Sequence, residues 1–217
     1  MIVAIDGPAG VGKSTITRRV AESTGFLHLS SGQFYRAVTW KVLTAAENPD
    51  DICSVVSTAR SMTIGLDEGD VTVDGRSVTS ELHSDQVDYW VSRHSAIPEV
   101  RSIINKRLKE VASGRDVVVE GRDMSTVVFP EAEVKIYLDA RLEERARRRW
   151  AQNKTSLSFD ELVQSIAERD EQDRAKAHGA LRRARDAVYL DTSDLTIGQV
   201  CETVIDTIKR HADSRSY

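Results

Sequence analysis

A glycine-rich stretch near the N-terminus, residues 7–14, fits the pattern G-x-x-x-x-G-K-[ST]. Residues 2–5 before it form an uninterrupted apolar run, which is typical of a strand buried on both faces of a parallel sheet. After it, Ile16 and Val20 lie one helical turn apart, and Gly25 suits the end of a helix that begins at Lys13. A strand, a glycine-rich turn and a helix in this order predict a P-loop in an α/β fold.

The physical chemistry of this turn favours a nucleoside triphosphate as its ligand. Glycines let successive backbone N–H groups point inwards at phosphate oxygens, and the helix N-terminus adds partial positive charge. Lys13 can reach the β- and γ-phosphates, which makes it a catalytic candidate, and the Ser14 hydroxyl can bind Mg²⁺ directly. We take Lys13 as an exposed loop residue whose removal leaves the fold intact. The predicted ATP-binding residues are Gly7, Pro8, Ala9, Gly10, Val11, Gly12, Lys13, Ser14 and Thr15.

A second metal-binding candidate is Glu120, which ends the apolar run of residues 117–119. An acid at a strand end resembles a Walker B position, where it would help to hold Mg²⁺ through water. The alternative, an exposed strand-end carboxylate with no ligand, stays open at this point.

The rest of the chain alternates strand and helix patterns, which predicts a three-layer fold around a central parallel sheet. Residues 63–66, 71–73 and 76–78 are short strand candidates, and Asp74-Gly75 between the last two is a strong hairpin signal. We therefore expect one domain over residues 1–217 with a small antiparallel insert at about residues 63–95. Asp194 is expected to cap a last helix.

Composition excludes several classes of protein. The 30 basic and 34 acidic residues give a net charge of -4, which argues against bulk nucleic-acid binding. Cys53 and Cys201 have no metal-ligand spacing, and we interpret them as small apolar fillers in a reduced compartment, without a disulfide framework. The sequence shows no export signal and no apolar run of membrane-spanning length, so we expect a cytoplasmic protein without a membrane partner.

Among P-loop proteins, a small kinase fits best. A GTPase needs a guanine-reading N-K-x-D, and Ser156 stands where the acid should follow Asn153-Lys154. Phosphoryl transfer between two polyanions requires positive charge on both and exclusion of water. Candidate arginines are Arg36, Arg101, Arg122 and the run Arg141, Arg145, Arg147, Arg148 and Arg149. We expect one or two of that run to be catalytic, with Arg148 as the candidate in a short lid at about residues 147–158; a solvated helix face or a weak RNA patch is the alternative.

At these residues the sequence resembles the bacterial cytidylate kinases over essentially its whole length. The specific marks are Ser31-Gly32-x-x-Tyr35-Arg36, Glu120-Gly121-Arg122-Asp123-Met124 running on to Pro130, Lys135-Ile136-Tyr137-Leu138-Asp139-Ala140, Glu143-Glu144-Arg145-Ala146-x-Arg148-Arg149 and Glu168-Arg169-Asp170-x-x-Asp173. The resemblance implies a monophosphate-binding role for the insert. Three places depart from the family pattern: Ser30 replaces an acid, Lys176 an arginine, and Ala180-Leu181 a proline-leucine.

The resemblance implies phosphorylation of CMP and dCMP by ATP with Mg²⁺. Separately, we expect a monomer without a nucleic-acid partner. Arg36 and Arg122 would hold the acceptor phosphate, and Asp173 the ribose hydroxyls. Arg122 is also a catalytic candidate. The implied CMP-binding residues are Ser31, Tyr35, Arg36, Ser92, Arg101, Arg122, Asp123, Asp173 and Lys176.

Several alternatives stay open. Asp123 could be a helix cap, Tyr35 a plain core residue and Asp173 a surface acid. A UMP-preferring kinase or a non-catalytic nucleotide-binding regulator would be the alternative function.

Overall fold

The computed structural model describes residues 1–67, 69–151 and 157–214. The strands are β1 (Ile2–Asp6), β2 (Leu27–Ser30), β3 (Ile64–Asp67), β4 (Asp70–Val73), β5 (Arg76–Ser77), β6 (Val117–Gly121), β7 (Val134–Asp139) and β8 (Val188–Asp191). The α-helices are α1 (Lys13–Thr24), α2 (Ser31–Thr44), α3 (Ile52–Ser61), α4 (Asp85–His94), α5 (Pro98–Ala112), α6 (Leu142–Trp150), α7 (Phe159–Ala175) and α8 (Ile197–Ser214).

Two compact units make up the described chain: Met1–Leu29 with Arg115–Tyr217, and Ser30–Gly114. The first unit contains a parallel sheet of strand order β2-β6-β1-β7-β8. Residues 3–5 of β1 and 117–119 of β6 are fully buried, as expected for strands covered on both faces. The predicted α/β class with a central parallel sheet flanked by helices is confirmed.

The strand register brings Asp6 and Glu120 to the same end of this sheet. Asp6, the last residue of β1, pairs with Gly121 of β6 on one side and with Tyr137 of β7 on the other. Glu120 pairs with Ile5. Because these parallel strands end together, the turn after β1 and the segment after β6 begin side by side.

Helices α1 and α8 share a hydrophobic core with the parallel sheet. Ile16 and Val20 of α1 join Val3, Val118 and Leu138 of the strands in this core. Cys201 of α8 is buried in the same core, as predicted for an apolar filler, but Cys53 is exposed, so that half of the prediction is wrong. Both cysteines are free.

The second unit contains the antiparallel sheet β3-β4-β5 beside helices α2 to α5. The predicted Asp74-Gly75 hairpin is confirmed: both residues have positive φ, 52° and 80°, as a tight two-residue turn requires. Helix α4 was not predicted, although Ser84 caps it by accepting a hydrogen bond from the Val87 backbone N–H. Ser84 follows a series of short strands, and in that context it was not recognised as a helix cap.

Other boundaries also differ from the sequence analysis. Helix α8 begins at Ile197, and Thr196 and Gln199 bond each other's backbone N–H in front of it. Asp194, the predicted cap, instead accepts two hydrogen bonds from Arg141. The predicted lid includes residues 152–156, which lie outside the described residues, so the lid and the single-domain organisation stay predictions. In the described ranges no helix is long and apolar enough to cross a membrane.

Candidate functional site

The glycine-rich turn between β1 and α1 has the backbone conformation that the P-loop motif predicts. A Cβ atom at Gly7 would lie 2.3 Å from the Leu138 carbonyl oxygen, so only glycine fits there. Gly12 precedes α1 with φ 95°, a left-handed conformation that glycine adopts without strain. The first glycine of the motif is therefore required by space, and the second by its positive φ.

Lys13 is buried, with only 8% of its surface exposed, so its interpretation as an exposed loop residue is wrong. Its Nζ donates hydrogen bonds to the carbonyl oxygens of Gly7 and Pro8, both at 2.7 Å. Burial and the nearby Arg122 guanidinium lower the pKa of Lys13 well below its ordinary value, against the opposing charge of Glu120. The ammonium group thus lies inside the turn, at the place where a phosphate would be bound.

Glu120 is 3% exposed, which rules out the alternative of an exposed strand-end carboxylate. Burial alone would raise the pKa of Glu120, but the neighbouring His28 and Ser14 side chains and the charge of Lys13 lower it below its ordinary value. The carboxylate therefore stays ionised next to the Ser14 hydroxyl. His28, which the sequence analysis did not single out, has its Nε2 3.0 Å from Thr17 Oγ1 and 3.8 Å from Glu120 Oε1.

Asp6 was also missed by the sequence analysis. It is fully buried at the end of β1 and accepts hydrogen bonds from the backbone N–H groups of Met124 and Ser125, at 2.9 and 2.8 Å. The Ser125 hydroxyl donates to it as well, at 2.6 Å. Burial raises the pKa of Asp6 despite these bonds. The result is a fixed position for the segment that follows Arg122 and Asp123.

Asp123 is 2% exposed and precedes a single π-helical turn, Met124–Val128. Its side chain makes no capping hydrogen bond to that turn. The alternative that Asp123 acts as a helix cap is therefore wrong. The role of Asp123 in cytosine recognition stays a prediction.

Asp173 of α7 is the centre of a three-residue charge cluster. Arg122 Nε donates to its Oδ2, and Lys176 Nζ donates to its Oδ1, both at 2.8 Å. Asp173 is buried, so the alternative of a surface acid is wrong. Burial opposes ionisation, but the charges of Arg122 and Lys176 prevail and lower the pKa of Asp173 to about 2. Lys176, where the family pattern has an arginine, takes part in this cluster.

The lowered pKa of Asp173 predicts an acid-dependent contribution to stability. The contribution is fully present above the ordinary carboxyl pKa and is lost as the pH falls towards about 2. Between neutral pH and pH 2, the free energy of unfolding of the wild type should therefore fall by about 2 kcal/mol more than that of Asp173→Asn. Urea titrations over this range measure it, with the exposed Asp85 changed to asparagine as the control. An unaltered pH dependence in Asp173→Asn would contradict the cluster.

Five further CMP-binding candidates lie in the second unit. Ser31, Tyr35 and Arg36 are on α2, Ser92 is on α4 and Arg101 is on α5. The structure brings Tyr35 and Arg101 together, with the guanidinium carbon 5.5 Å from the ring centroid.

Tyr35 is buried, as a core residue would be, but its hydroxyl also donates to Asn105 Oδ1 at 3.3 Å. Arg101 is buried too and donates to the Ser95 carbonyl oxygen at 3.2 Å. A planar cation over an aromatic ring, both fixed by hydrogen bonds, forms a rigid pair.

Arg36 is held by two partners within the second unit. Its Nη1 donates to the Leu82 carbonyl oxygen at 2.9 Å, and its Nη2 pairs with the carboxylate of Asp88 on α4. The guanidinium expected to hold an acceptor phosphate is therefore paired with a carboxylate here.

Four of the five arginines in the predicted run fall into two groups. Arg141 and Arg147 form exposed ion pairs with Asp194 and Glu144, which fits a solvated helix face. Arg145 and Arg148 instead bond backbone carbonyl groups of the P-loop, those of Ala9 and Val11 respectively. Arg148 also donates to the carbonyl oxygen of Thr192 at 2.5 Å. Its catalytic role stays a prediction.

Comparisons with known proteins find relatives that match nearly the whole chain. The family model described as cytidylate kinase matches residues 3–210. A cytidylate kinase from Caldanaerobacter subterraneus subsp. tengcongensis is 40% identical over 96% of this chain and 95% of its own length. One from Borrelia hermsii is 39% identical over 95% and 97% respectively. A shikimate kinase structure from Bacteroides thetaiotaomicron has a TM-score of 0.52 at 12% identity, covers 98% of both chains and shows the fold alone.

Proposed function

Because the chain belongs to the cytidylate kinase family, we propose that it transfers the γ-phosphoryl group of ATP to CMP and dCMP, giving ADP and the pyrimidine diphosphate. The observation that carries the proposal is the complete P-loop, with Lys13 buried inside it, in a chain that the family model matches nearly end to end. Nothing observed favours a UMP-preferring kinase or a non-catalytic regulator.

On the donor side, the P-loop N–H groups and Lys13 would hold the triphosphate. Burial lowers the pKa of Lys13 and so disfavours its ammonium form. The negative charge of a bound polyphosphate would favour the ammonium form again. As the γ-phosphoryl group moves, charge shifts towards the leaving oxygen of ADP, and a fixed ammonium nearby stabilises that change. No proton transfer from Lys13 is required.

The residues at the strand ends fit Mg²⁺. The Ser14 hydroxyl and the ionised Glu120 carboxylate are oxygen donors next to each other, and oxygen is the ligand that Mg²⁺ prefers. Across residues 1–67, 69–151 and 157–214 no group of three or more acidic, histidine or cysteine side chains could hold a metal by itself. We propose that Ser14 binds the ion directly and Glu120 through water. When bound, Mg²⁺ neutralises charge on the β- and γ-phosphates.

On the acceptor side, the proposed ligands are those that the resemblance to the family implies. Arg36 and Arg122 would bind the CMP phosphate, and Asp173 the ribose hydroxyls. An oxygen of that phosphate attacks the γ-phosphorus in line, a new P–O bond forms, and the bond to the ADP oxygen breaks. The attacking oxygen is already anionic near neutral pH, so no general base is needed.

Cytosine would be recognised by polar groups of opposite character. Its exocyclic amino group is a donor beside two acceptors. We propose that the Asp123 carboxylate accepts from the amino group, and that Arg101 and Ser92 donate to the acceptors. The Tyr35 ring under Arg101 would keep that guanidinium in place.

A coupled kinase assay with CMP, dCMP, UMP, AMP and no acceptor tests the proposal. We expect turnover that is highest with CMP and dCMP. Highest turnover with UMP would replace the proposed substrate, and nucleotide binding without any acceptor-dependent turnover would overturn the proposed reaction. The monomeric state, the cytoplasmic location and the lid around Arg148 stay predictions.

The pairing of Arg36 with Asp88 yields a prediction for the acceptor. If Arg36 binds the CMP phosphate, the Asp88 carboxylate competes with it, because both are anions that use the same guanidinium. We expect Asp88→Asn to lower the KM for CMP about 2- to 5-fold, the value of a half-exposed ion pair, with kcat unchanged.

Steady-state kinetics at two salt concentrations measure this effect, which should shrink at high salt. Asp85→Asn makes the same change of charge on the same helix and serves as the control. A raised KM for CMP in Asp88→Asn would show instead that Asp88 holds Arg36 in its working position.

A further inference from the structure

Ala9, the third residue of the P-loop, is held by a buried ion pair that comes from two other helices. Asp170 of α7 accepts a hydrogen bond from the Ala9 N–H through Oδ1 at 3.2 Å. Arg145 of α6 donates from Nη1 to the Ala9 carbonyl oxygen at 3.0 Å and to Asp170 Oδ2 at 2.5 Å. The two charged residues are only 5% and 2% exposed. One ion pair therefore fixes both peptide groups of a single loop residue.

Arg145 has further contacts that keep its guanidinium in this place. Its Nε donates to the Ala140 carbonyl oxygen at 3.0 Å, so the side chain is anchored at both ends of the guanidinium. Gly10, the next loop residue, packs against it so closely that a Cβ there would lie 3.3 Å from the Arg145 Cβ. Helix α6 thus contacts Ala9 through hydrogen bonds and Gly10 through packing.

The loop needs such support because its sequence does not provide rigidity. Gly7, Gly10 and Gly12 all have positive φ, and glycine moves readily between positive and negative φ. Backbone N–H groups bind phosphate well only when they already point at the oxygens, since reorganising them on binding lowers affinity.

Stability alone does not explain the ion pair. Removing two charges from water is costly, and well-packed apolar residues of similar volume are often as stable as a buried pair. Contact with the functional loop offers a reason for its presence here.

We propose that Arg145 and Asp170 are positioning residues of the P-loop. They hold the Ala9 peptide groups so that the loop N–H groups are pre-oriented for the donor phosphates, and neither residue touches the nucleotide. The inference deepens the proposed function, because it rests on the P-loop as the ATP site. It also gives two arginines of one helix different tasks, with Arg145 under the loop and Arg147 on the exposed face.

The decisive experiment uses the double variant Arg145→Met with Asp170→Leu, studied by calorimetric titration with ATP and Mg²⁺ in the absence of CMP. Replacing both charges with apolar side chains leaves no unpaired buried ion, but the Ala9 N–H and the Ala9 and Ala140 carbonyl groups lose their partners, so we expect a folded protein with a lowered thermal midpoint, and its affinity is compared per folded molecule. The Kd for ATP should rise about 10-fold or more, the loss seen when an orienting partner is removed from a metal site. The Kd for CMP should not change.

A matched control is the double variant Arg141→Met with Asp194→Leu, which removes an exposed, bidentate ion pair at the start of the same helix. It should bind ATP like the wild type. A folded Arg145→Met/Asp170→Leu protein with wild-type affinity for ATP would overturn the positioning role.

A second pair of variants covers the case in which the double variant does not fold. Asp170→Asn keeps an oxygen that accepts from the Ala9 N–H, whereas Asp170→Ala removes it. We expect Asp170→Asn to retain more ATP affinity per folded molecule, and equal affinities would contradict the proposal. If the wild type itself fails to bind ATP, the proposed function fails as well, whereas ATP binding without CMP turnover leaves the positioning role standing.

Discussion

Lys13→Met is expected to lower kcat for phosphoryl transfer by about 10²-fold or more, because it removes the charge that stabilises the transferring group. Methionine has a similar length and apolar stem, so it fills the buried space that Lys13 occupies. A low-dielectric environment strengthens the effect of the charge on the reaction. Steady-state turnover with saturating ATP and CMP measures the loss.

Stability must be measured beside activity, because Lys13 also has a structural task. Its Nζ donates to two carbonyl oxygens of the loop, and Lys13→Ala leaves both groups without that donor and opens a cavity. We expect Lys13→Ala to lower the free energy of unfolding by about 1–3 kcal/mol in addition to its loss of activity. Lys13→Arg, which keeps the charge, is the matched control. A Lys13→Met protein that keeps most of its turnover would contradict the role assigned to the P-loop lysine.

Local sequence signals were sufficient for most of the fold. The P-loop, the buried strands β1 and β6 and the Asp74-Gly75 hairpin each depend on neighbouring residues, and each was predicted. Helix α4 was missed because only Val87, Val91 and His94 of its ten residues are buried, which gives a weak helical pattern. Asp194 was a plausible cap, but Thr196 with Gln199 supplies the bonds at the start of α8.

The supporting residues of the site could not be predicted, because their partners are distant in sequence. Asp6 bonds Met124 and Ser125, which are nearly 120 positions further along the chain. Asp170 bonds Ala9, which lies 161 positions before it. No periodicity or spacing connects such residues; only the order of the parallel strands and the packing of α7 bring them together.

Burial was the other quantity that the sequence left open. Lys13, Glu120 and Asp173 are all charged residues, and charged residues are mostly exposed. Each is buried here because an opposite charge or a backbone group satisfies it. The surface interpretations of these residues failed for that reason, whereas Arg141 and Arg147 form exposed ion pairs.

Base selectivity gives the second large expected effect. Asp123→Ala should reduce the preference for CMP over UMP, measured as the ratio of kcat/KM values, by about 1–3 kcal/mol or roughly 5- to 150-fold. The buried carboxylate would accept from the amino group of cytosine, whereas uracil presents a carbonyl oxygen at that position. Two hydrogen-bond acceptors that face each other in a buried site repel and leave each other unpaired, so the site discriminates strongly against UMP.

The asparagine variant sharpens this test because it changes the character of the group without changing its size. An amide can donate to the uracil oxygen, so Asp123→Asn should raise UMP turnover relative to Asp123→Ala. Both variants should keep the wild-type affinity for ATP. The backbone after Asp123 should stay in place, because Asp6 holds it through the N–H groups of Met124 and Ser125. If both variants lose stability but keep the wild-type ratio of CMP to UMP, Asp123 is a structural residue and other groups recognise cytosine.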